Sequence, residues 1–216
     1  AGNLLKNSDF SEGMEGWMQT IANWGDPYHT VASSTVVDNG IKYTITDPGD
    51  EDWHVQLKQD NLNLKAGHKY KVSYNVTSTE ARQIKSGVQS ASYTWYGGAD
   101  PVLEANAVTP VEYEFTMEAD DDTATVYFSL GKIADVETPA SDITITDITF
   151  TDLSDDGEGE DVVSYTSGRI STQNKQTFTY GLFECRAKVP AGQGYLPAFW
   201  LMANDENVYG QWPRCG

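Results

Sequence analysis

Four of the six tryptophans, Trp17, Trp24, Trp53 and Trp95, fall before residue 100, and two of them sit among loop-forming residues. Trp24 lies in Ala22-Asn23-Trp24-Gly25-Asp26-Pro27 and Trp95 in Ser92-Tyr93-Thr94-Trp95-Tyr96-Gly97-Gly98. An indole held beside amides and hydroxyls suits sugar recognition: the apolar face of a pyranose stacks on the ring while its hydroxyls hydrogen-bond at the rim. Trp24 and Trp95 are therefore the first candidates for stacking. Trp53 shares its strand phase with Val55 and Leu57, so core packing and stacking both stay open. Trp17, after Gly13-Met14-Glu15-Gly16, reads as core. Catalysis has weaker footing in this region, because its acids fall in turns or on the polar phase of strands, where solvation accounts for them. Three histidines (His29, His54, His68) and two cysteines (Cys185, Cys215) are too few and too scattered for a zinc cluster. The cysteines read equally as a pair or as small unpaired hydrophobes.

Charge narrows the partners. Fourteen basic residues against thirty-two acidic ones give a net charge of −18, the wrong sign for gripping phosphate backbones, so nucleic acid is not an expected partner. Mean hydropathy is −0.48, and no run approaches the roughly 20 apolar residues of a membrane helix, so no membrane span is expected. The start, Ala1-Gly2-Asn3, lacks the basic residues and apolar run of a cleavable signal. The protein is then either cytoplasmic or has lost its leader.

The elements that must carry the tryptophans are strands. Tyr70, Val72, Tyr74 and Val76 alternate with Lys69, Lys71, Ser73 and Asn75, the period of two of a strand with one buried face. The same period runs through Ile41-Tyr43-Ile45, Val111-Tyr113-Phe115-Met117 and Val126-Phe128-Leu130. In residues 143–150 the phase slips between Ile145 and Ile148, which places a bulge near Asp147. Turn signals at Asp38-Asn39-Gly40, Asp47-Pro48-Gly49-Asp50, Lys65-Ala66-Gly67 and Asp120-Asp121-Asp122 separate the runs, and no helical periodicity persists for three turns. The reading is all-β, a jelly-roll β-sandwich.

A boundary shows in the charge pattern. Residues 152–161 hold six acids and no base, whereas residues 162–216 hold five bases and three acids. Ser154-Asp155-Asp156-Gly157-Glu158-Gly159-Glu160-Asp161 has nothing to bury and reads as a solvated linker. The expected division is a β-sandwich over 1–153, a linker over 154–161 and a further segment over 162–216.

The opening Asn3-Leu4-Leu5-Lys6-Asn7-Ser8-Asp9-Phe10, followed by Gly16-Trp17, resembles carbohydrate-binding module family 4. So do Trp53-His54-Val55-Gln56-Leu57, Gly67-His68-Lys69-Tyr70-Lys71-Val72-Ser73-Tyr74, and Ile143-Thr144-Ile145-Thr146-Asp147-Ile148. The resemblance covers residues 3 to about 151 and implies a jelly roll whose concave face takes a single β-glucan chain. It carries Trp24, Trp53 and Trp95 over as cleft aromatics, with Tyr96 and Gln56 as further contacts. It also implies a structural calcium, for which Asp147 is the one side chain to name; an exposed strand acid explains Asp147 equally well.

The later segment resembles glycoside hydrolase family 16, laminarinases and related β-glucanases. The residues are Tyr165-Thr166-Ser167-Gly168-Arg169-Ile170, then Phe178-Thr179-Tyr180-Gly181-Leu182-Phe183-Glu184-Cys185-Arg186, then Gly194-Tyr195-Leu196-Pro197-Ala198-Phe199-Trp200-Leu201-Met202, and Gln211-Trp212-Pro213-Arg214-Cys215-Gly216. The resemblance implies the first strands of a second, partial jelly roll. Arg169, Glu184 and Arg186 match substrate contacts, and Trp200 and Trp212 match aromatics flooring the cleft. A cross-strand ion pair remains open for Glu184 and Arg186, as does a core role for Trp200. The family's Glu-x-Asp-x-x-Glu strand would follow Gly216. Its two glutamates perform retaining hydrolysis with carboxyls roughly 5–5.5 Å apart, so no catalytic residue is named in this chain. The expectation is a monomeric, secreted or cell-surface protein without an organic cofactor, which binds laminarin-like or mixed-linkage β-glucan and belongs to an endo-acting parent. The rival expectation is a β-sandwich adhesion module that binds proteins.

Overall fold

The structure, a computed structural model, describes residues 2–154, 168–172, 175–190, 192 and 195–203. The chain divides into two compact units, Ala1–Val162 and Val163–Gly216.

Among the described residues the first unit has twelve strands and no α-helix. The strands are β1 (Met18–Ile21), β2 (Val31–Val37), β3 (Gly40–Asp47), β4 (Val55–Leu64), β5 (Lys69–Ser78), β6 (Arg82–Gln83), β7 (Lys85–Gln89), β8 (Trp95–Ala99), β9 (Val102–Leu103), β10 (Thr109–Thr116), β11 (Asp121–Ser129) and β12 (Ser141–Asp152). They form two five-stranded antiparallel sheets, β1-β4-β11-β7-β8 and β10-β5-β12-β3-β2, plus the short pair β6-β9. The alternation seen in the sequence is what closes the sandwich. Val55, Leu57, Val126 and Phe128 from one sheet meet Tyr70, Val72, Ile143 and Phe150 from the other, all at most 1% exposed. Each large side chain buried this way contributes about 1.5–3 kcal/mol.

The opening motif has a structural task. The Asn3 amide donates to the Ile148 carbonyl (2.9 Å), its oxygen accepts from the Phe150 amide (3.0 Å), and the Leu4 amide donates to the Phe150 carbonyl (2.8 Å). These bonds fasten the N-terminal segment to β12. Trp17 is buried as expected, stacked on Phe10 at 5.0 Å. The bulge also falls where the phase slip put it: the β12–β5 register shifts between Thr146 and Thr149, with Asp147 at φ +55.

Trp53 departs from the strand reading. It lies in a 3₁₀ turn, Asp52–His54, that precedes β4. The turn is stitched to the end of β11 by the Gly131 amide, which donates to the Asp52 carbonyl at 2.8 Å. A Cβ at Gly131 would stand 2.3 Å from the Glu51 carbonyl oxygen, so glycine permits this approach. The phase shared with Val55 and Leu57 therefore stops at Val55, and it is His54 that turns inward.

In the second unit the described residues carry no strand, so the expected opening strands of a second jelly roll are not seen among them. Strands need hydrogen-bonded neighbours, and no partner strand is present among those residues. Within the segment the Arg169 guanidinium lies over the Trp200 ring at 4.9 Å, and Phe178 meets Phe183 edge-on at 5.4 Å.

Candidate sugar-binding face

The outer face of the β1-β4-β11-β7-β8 sheet is set by registry. Gln56 on β4 lies opposite Ser129 on β11, which lies opposite Lys85 on β7. One row along, Lys58, Tyr127, Gly87 and Gly98 face one another across four strands. Tyr127 is on this face because it occupies the phase between inward Val126 and Phe128.

Two aromatic clusters bound the face. At one end Trp24, 58% exposed, meets Tyr28 at 4.6 Å and Trp53 at 6.3 Å. Trp53, 37% exposed, is braced edge-on by His54 at 4.4 Å. The loop carrying Trp24 and Tyr28 is anchored by His29, whose two ring nitrogens lie 2.8 Å from an Asp47 oxygen and 3.0 Å from an Asp50 oxygen. These contacts raise the His29 pKa, the Asp47 hydrogen bond contributing most and the Asp50 bond next.

At the other end Trp95, 61% exposed, and Tyr127 line a hollow of about 290 Å³ with Lys85, Gly98, Ala99 and Asp100. The glycines are there for room. A Cβ on Gly87 would stand 2.6 Å from the Tyr127 hydroxyl, and one on Gly98 would stand 2.3 Å from the Ser86 carbonyl oxygen and 3.2 Å from the Trp95 indole nitrogen. Burial, aided by the negative charges of Asp100 and Asp52, raises the Tyr127 pKa against the opposing hydrogen bond from Trp95. The phenol thus remains a donor at neutral pH.

Polar groups join the two ends. The Gln56 amide donates to the Ser129 hydroxyl (3.0 Å), and the Lys85 ammonium pairs with Asp52 at 3.3 Å. The turn into β4 and strand β8 are three strand spacings apart, about 14 Å. Exposed rings at both ends of a strip of amides, hydroxyls and charged groups can stack sugar faces and hydrogen-bond the hydroxyls between them.

The structure thus brings together Trp24 and Trp53 at one end, sets Gln56 in the polar strip beside Ser129, and places Trp95 at the other end. Tyr96 goes elsewhere: it packs against the core, and its hydroxyl donates to Asp121 at 2.6 Å. The face also recruits Tyr28, Tyr127, Lys85 and Asp52, which the sequence reading passed over. Tyr127 was detectable from its place in the outward phase of a clear strand. Asp52 and Lys85, 33 positions apart, carry no such signal.

Asp147 accepts hydrogen bonds from the side-chain amides of Asn39 and Asn75 and from the Thr146 hydroxyl. Among the described residues no group of three or more His, Cys, Asp or Glu is placed to hold a metal ion. Calcium collects oxygen ligands; the groups that meet the Asp147 carboxylate are two side-chain amides and a hydroxyl. In the second unit Arg169, Glu184, Arg186 and Trp200 are exposed. Trp212 and Cys215 lie outside the described residues, whereas Cys185 is exposed.

A two-sheet sandwich with bare aromatics along one outer face is an arrangement that suits carbohydrate binding. The chain belongs to the family described as "Carbohydrate binding domain", whose model matches residues 2–142. A second model, "Glycosyl hydrolases family 16", matches residues 112–211. Its first stretch overlaps β10, β11 and β12, which the structure gives to the first unit. A solved structure described as "CBM4 structure and function" superposes with a TM-score of 0.60 at 22% identity, covering 68% of this chain and 99% of that one. In its C-terminal part the chain is similar to glycoside hydrolases. It is 43% identical over 56 residues to a keratan-sulfate endo-1,4-beta-galactosidase of Sphingobacterium multivorum, covering 26% of this chain and 13% of the relative. It is 46% identical over 54 residues to a beta-glucanase of Rhodothermus marinus, covering 24% of this chain and 18% of the relative. The matched stretch therefore spans less than a fifth of either relative. The chain joins a carbohydrate-binding domain to a C-terminal segment similar to family 16 glycosyl hydrolases.

Proposed function

We propose that the first unit holds a laminarin-like β-1,3-glucan or mixed-linkage β-glucan chain across its β1-β4-β11-β7-β8 face. In this reading the second unit belongs to a retaining endo-β-glucanase that the binding domain keeps on its substrate, in a monomeric protein working outside the cell on polysaccharide. The observation that carries it is the exposure of Trp24 and Trp95 at opposite ends of a polar strip. Membership of a carbohydrate-binding family and the similarity of the second segment to a beta-glucanase point the same way. Cleavage is assigned to no residue here. The one carboxylate among the described residues of the second unit is Glu184, and a retaining mechanism needs two, roughly 5–5.5 Å apart.

Affinity electrophoresis in gels containing laminarin, mixed-linkage glucan or a soluble cellulose derivative tests the proposal. Retardation by a β-glucan that is lost in Trp24→Ala and in Trp95→Ala is expected. Normal migration in every gel would favour the adhesion reading instead. Reducing-sugar release from the same glucans should stay at background.

A further inference from the structure

We infer that the Trp95–Tyr127 hollow selects uncharged glucan units and rejects chains carrying carboxylate or sulfate groups, through Asp100 and the Asp52–Lys85 ion pair. The inference rests on the sugar-binding reading above and specifies the class of chain the face accepts.

Six residues line the hollow, and Lys85 is their one cation. Its ammonium is committed, 3.3 Å from the Asp52 carboxylate, with both side chains about one-third exposed (35% and 31%). The remaining charge of the lining is Asp100. The lining alone sums to zero; with Asp52, which pairs with Lys85 from outside the lining, two carboxylates stand by one ammonium and the balance is negative. The Tyr127 hydroxyl registers the same field, since Asp100 and Asp52 both disfavour its ionisation after burial has done so. The face's other nearby cation, Lys58, lies opposite Tyr127 on β4, away from β7 and β8, and is not part of the lining. The wider surroundings do not offset this, because residues 1–151 hold 23 acids against 9 bases.

A neutral glucosyl unit finds what it needs here: an indole face, a phenol donor and carboxylate acceptors. An anionic substituent meets Asp100 at close range. At Lys85 it must share an ammonium whose charge the Asp52 carboxylate already offsets, so the attraction left for it is weak. Discrimination arises from the repulsive element rather than from an added attraction. It should fade as salt shortens the screening length from about 10 Å at 0.1 M to about 3 Å at 1 M.

The test compares laminarin with carboxymethylated laminarin of the same backbone in affinity gels at low ionic strength. The wild-type chain is expected to bind laminarin at least tenfold more tightly than the carboxymethylated form. In Asp52→Asn/Asp100→Asn the ratio of the two affinities should shrink to within about threefold, whether or not laminarin binding itself weakens, because the amides still accept hydrogen bonds but carry no charge. Asp100→Asn alone, which leaves the ion pair intact, should give an intermediate gap, and 1 M salt should narrow the wild-type gap. Equal binding of the two polymers by the wild type, or an undiminished gap in both variants and at high salt, would overturn the inference while leaving glucan binding in place. Failure of laminarin and every other β-glucan to retard the wild type would instead remove the sugar-binding reading itself.

Discussion

The two sheets of the first unit share one core and one strand alternation, yet their outer faces are finished in opposite ways. On the β10-β5-β12-β3-β2 sheet the outward residues answer one another. Lys69 pairs with Glu114 (2.6 Å), Lys42 with Asp142 (3.1 Å), and the Ser73 and Thr149 hydroxyls share a 2.6 Å hydrogen bond. On the β1-β4-β11-β7-β8 sheet, glycines open space at Gly87 and Gly98 and large rings lie in or beside it. Ion pairs and hydroxyl ladders are complete within the protein, which leaves them little to offer a ligand. Exposed rings stay uncovered until something apolar lies on them, and such patches mark binding surfaces. The difference lies in which side chains fill the outward phase, not in the fold.

Substitutions can break or sharpen this contrast. The largest effect should come where the faces share support. Phe128 is fully buried and meets Tyr74 edge-on at 4.9 Å, so Phe128→Ala should cost about 3–5 kcal/mol in urea unfolding and weaken both faces together. Trp95→Ala should separate them. Sugar affinity should fall by at least about 2 kcal/mol, roughly thirtyfold, while the unfolding midpoint barely moves. Gly98→Ala should act between these, costing about 1–3 kcal/mol. Its Cβ meets backbone at 2.3 Å, so β8 must shift and carry Trp95 with it, and the loss should show in both affinity and stability.

The two faces should also respond to opposite ends of the pH scale. His29 is raised above its ordinary 6.5 by Asp47 and then Asp50. Its hold on the Trp24 loop is therefore complete below pH 6.5 and is lost as pH rises through the raised value. Asp47 is lowered below 3.8, first by the Gly49 amide and then by His29, so the anchor persists into acid until that lowered value is passed. Glu114 on the other sheet is lowered below 4.5, chiefly by Lys69. Its contribution is present above 4.5 and is lost as pH falls through the lowered value. Glucan affinity followed from about pH 5 to about pH 9 should be level on the acid side and decline on the alkaline side, and His29→Gln should abolish the decline. The smallest effect is expected for Lys69→Ala. That exposed pair should contribute little, glucan affinity should not change, and any shift of the unfolding midpoint should be less than that of Gly98→Ala.

Much of this contrast is legible in the chain, and the rest has identifiable reasons for being hidden. Period-two runs such as Tyr70-Val72-Tyr74-Val76 announce inward faces because a strand reverses its side chains at every residue. The slip between Ile145 and Ile148 announces the bulge for the same reason. Trp24 and Trp95 stand out because their sequence neighbours are largely polar or glycine and offer little apolar surface to cover an indole. Trp53 misleads because one short 3₁₀ turn resets the phase, and the turn depends on contact with Gly131, nearly eighty residues on. Tyr96 misleads because its neighbour Trp95 is exposed while its own hydroxyl is drawn to Asp121.

The order of polar and apolar residues along the chain by itself determined an all-β sandwich with aromatic rings left outside, since burial and alternation are local consequences of residue type. Which rings share a face, which lysine is neutralised by which carboxylate and where a hollow opens were decided only when β4, β11, β7 and β8 came into register. Antiparallel pairing sets residues far apart in sequence opposite one another, as Gln56 is to Ser129 and Lys85, and a shift of one residue would turn the same side chains to the other side of the sheet.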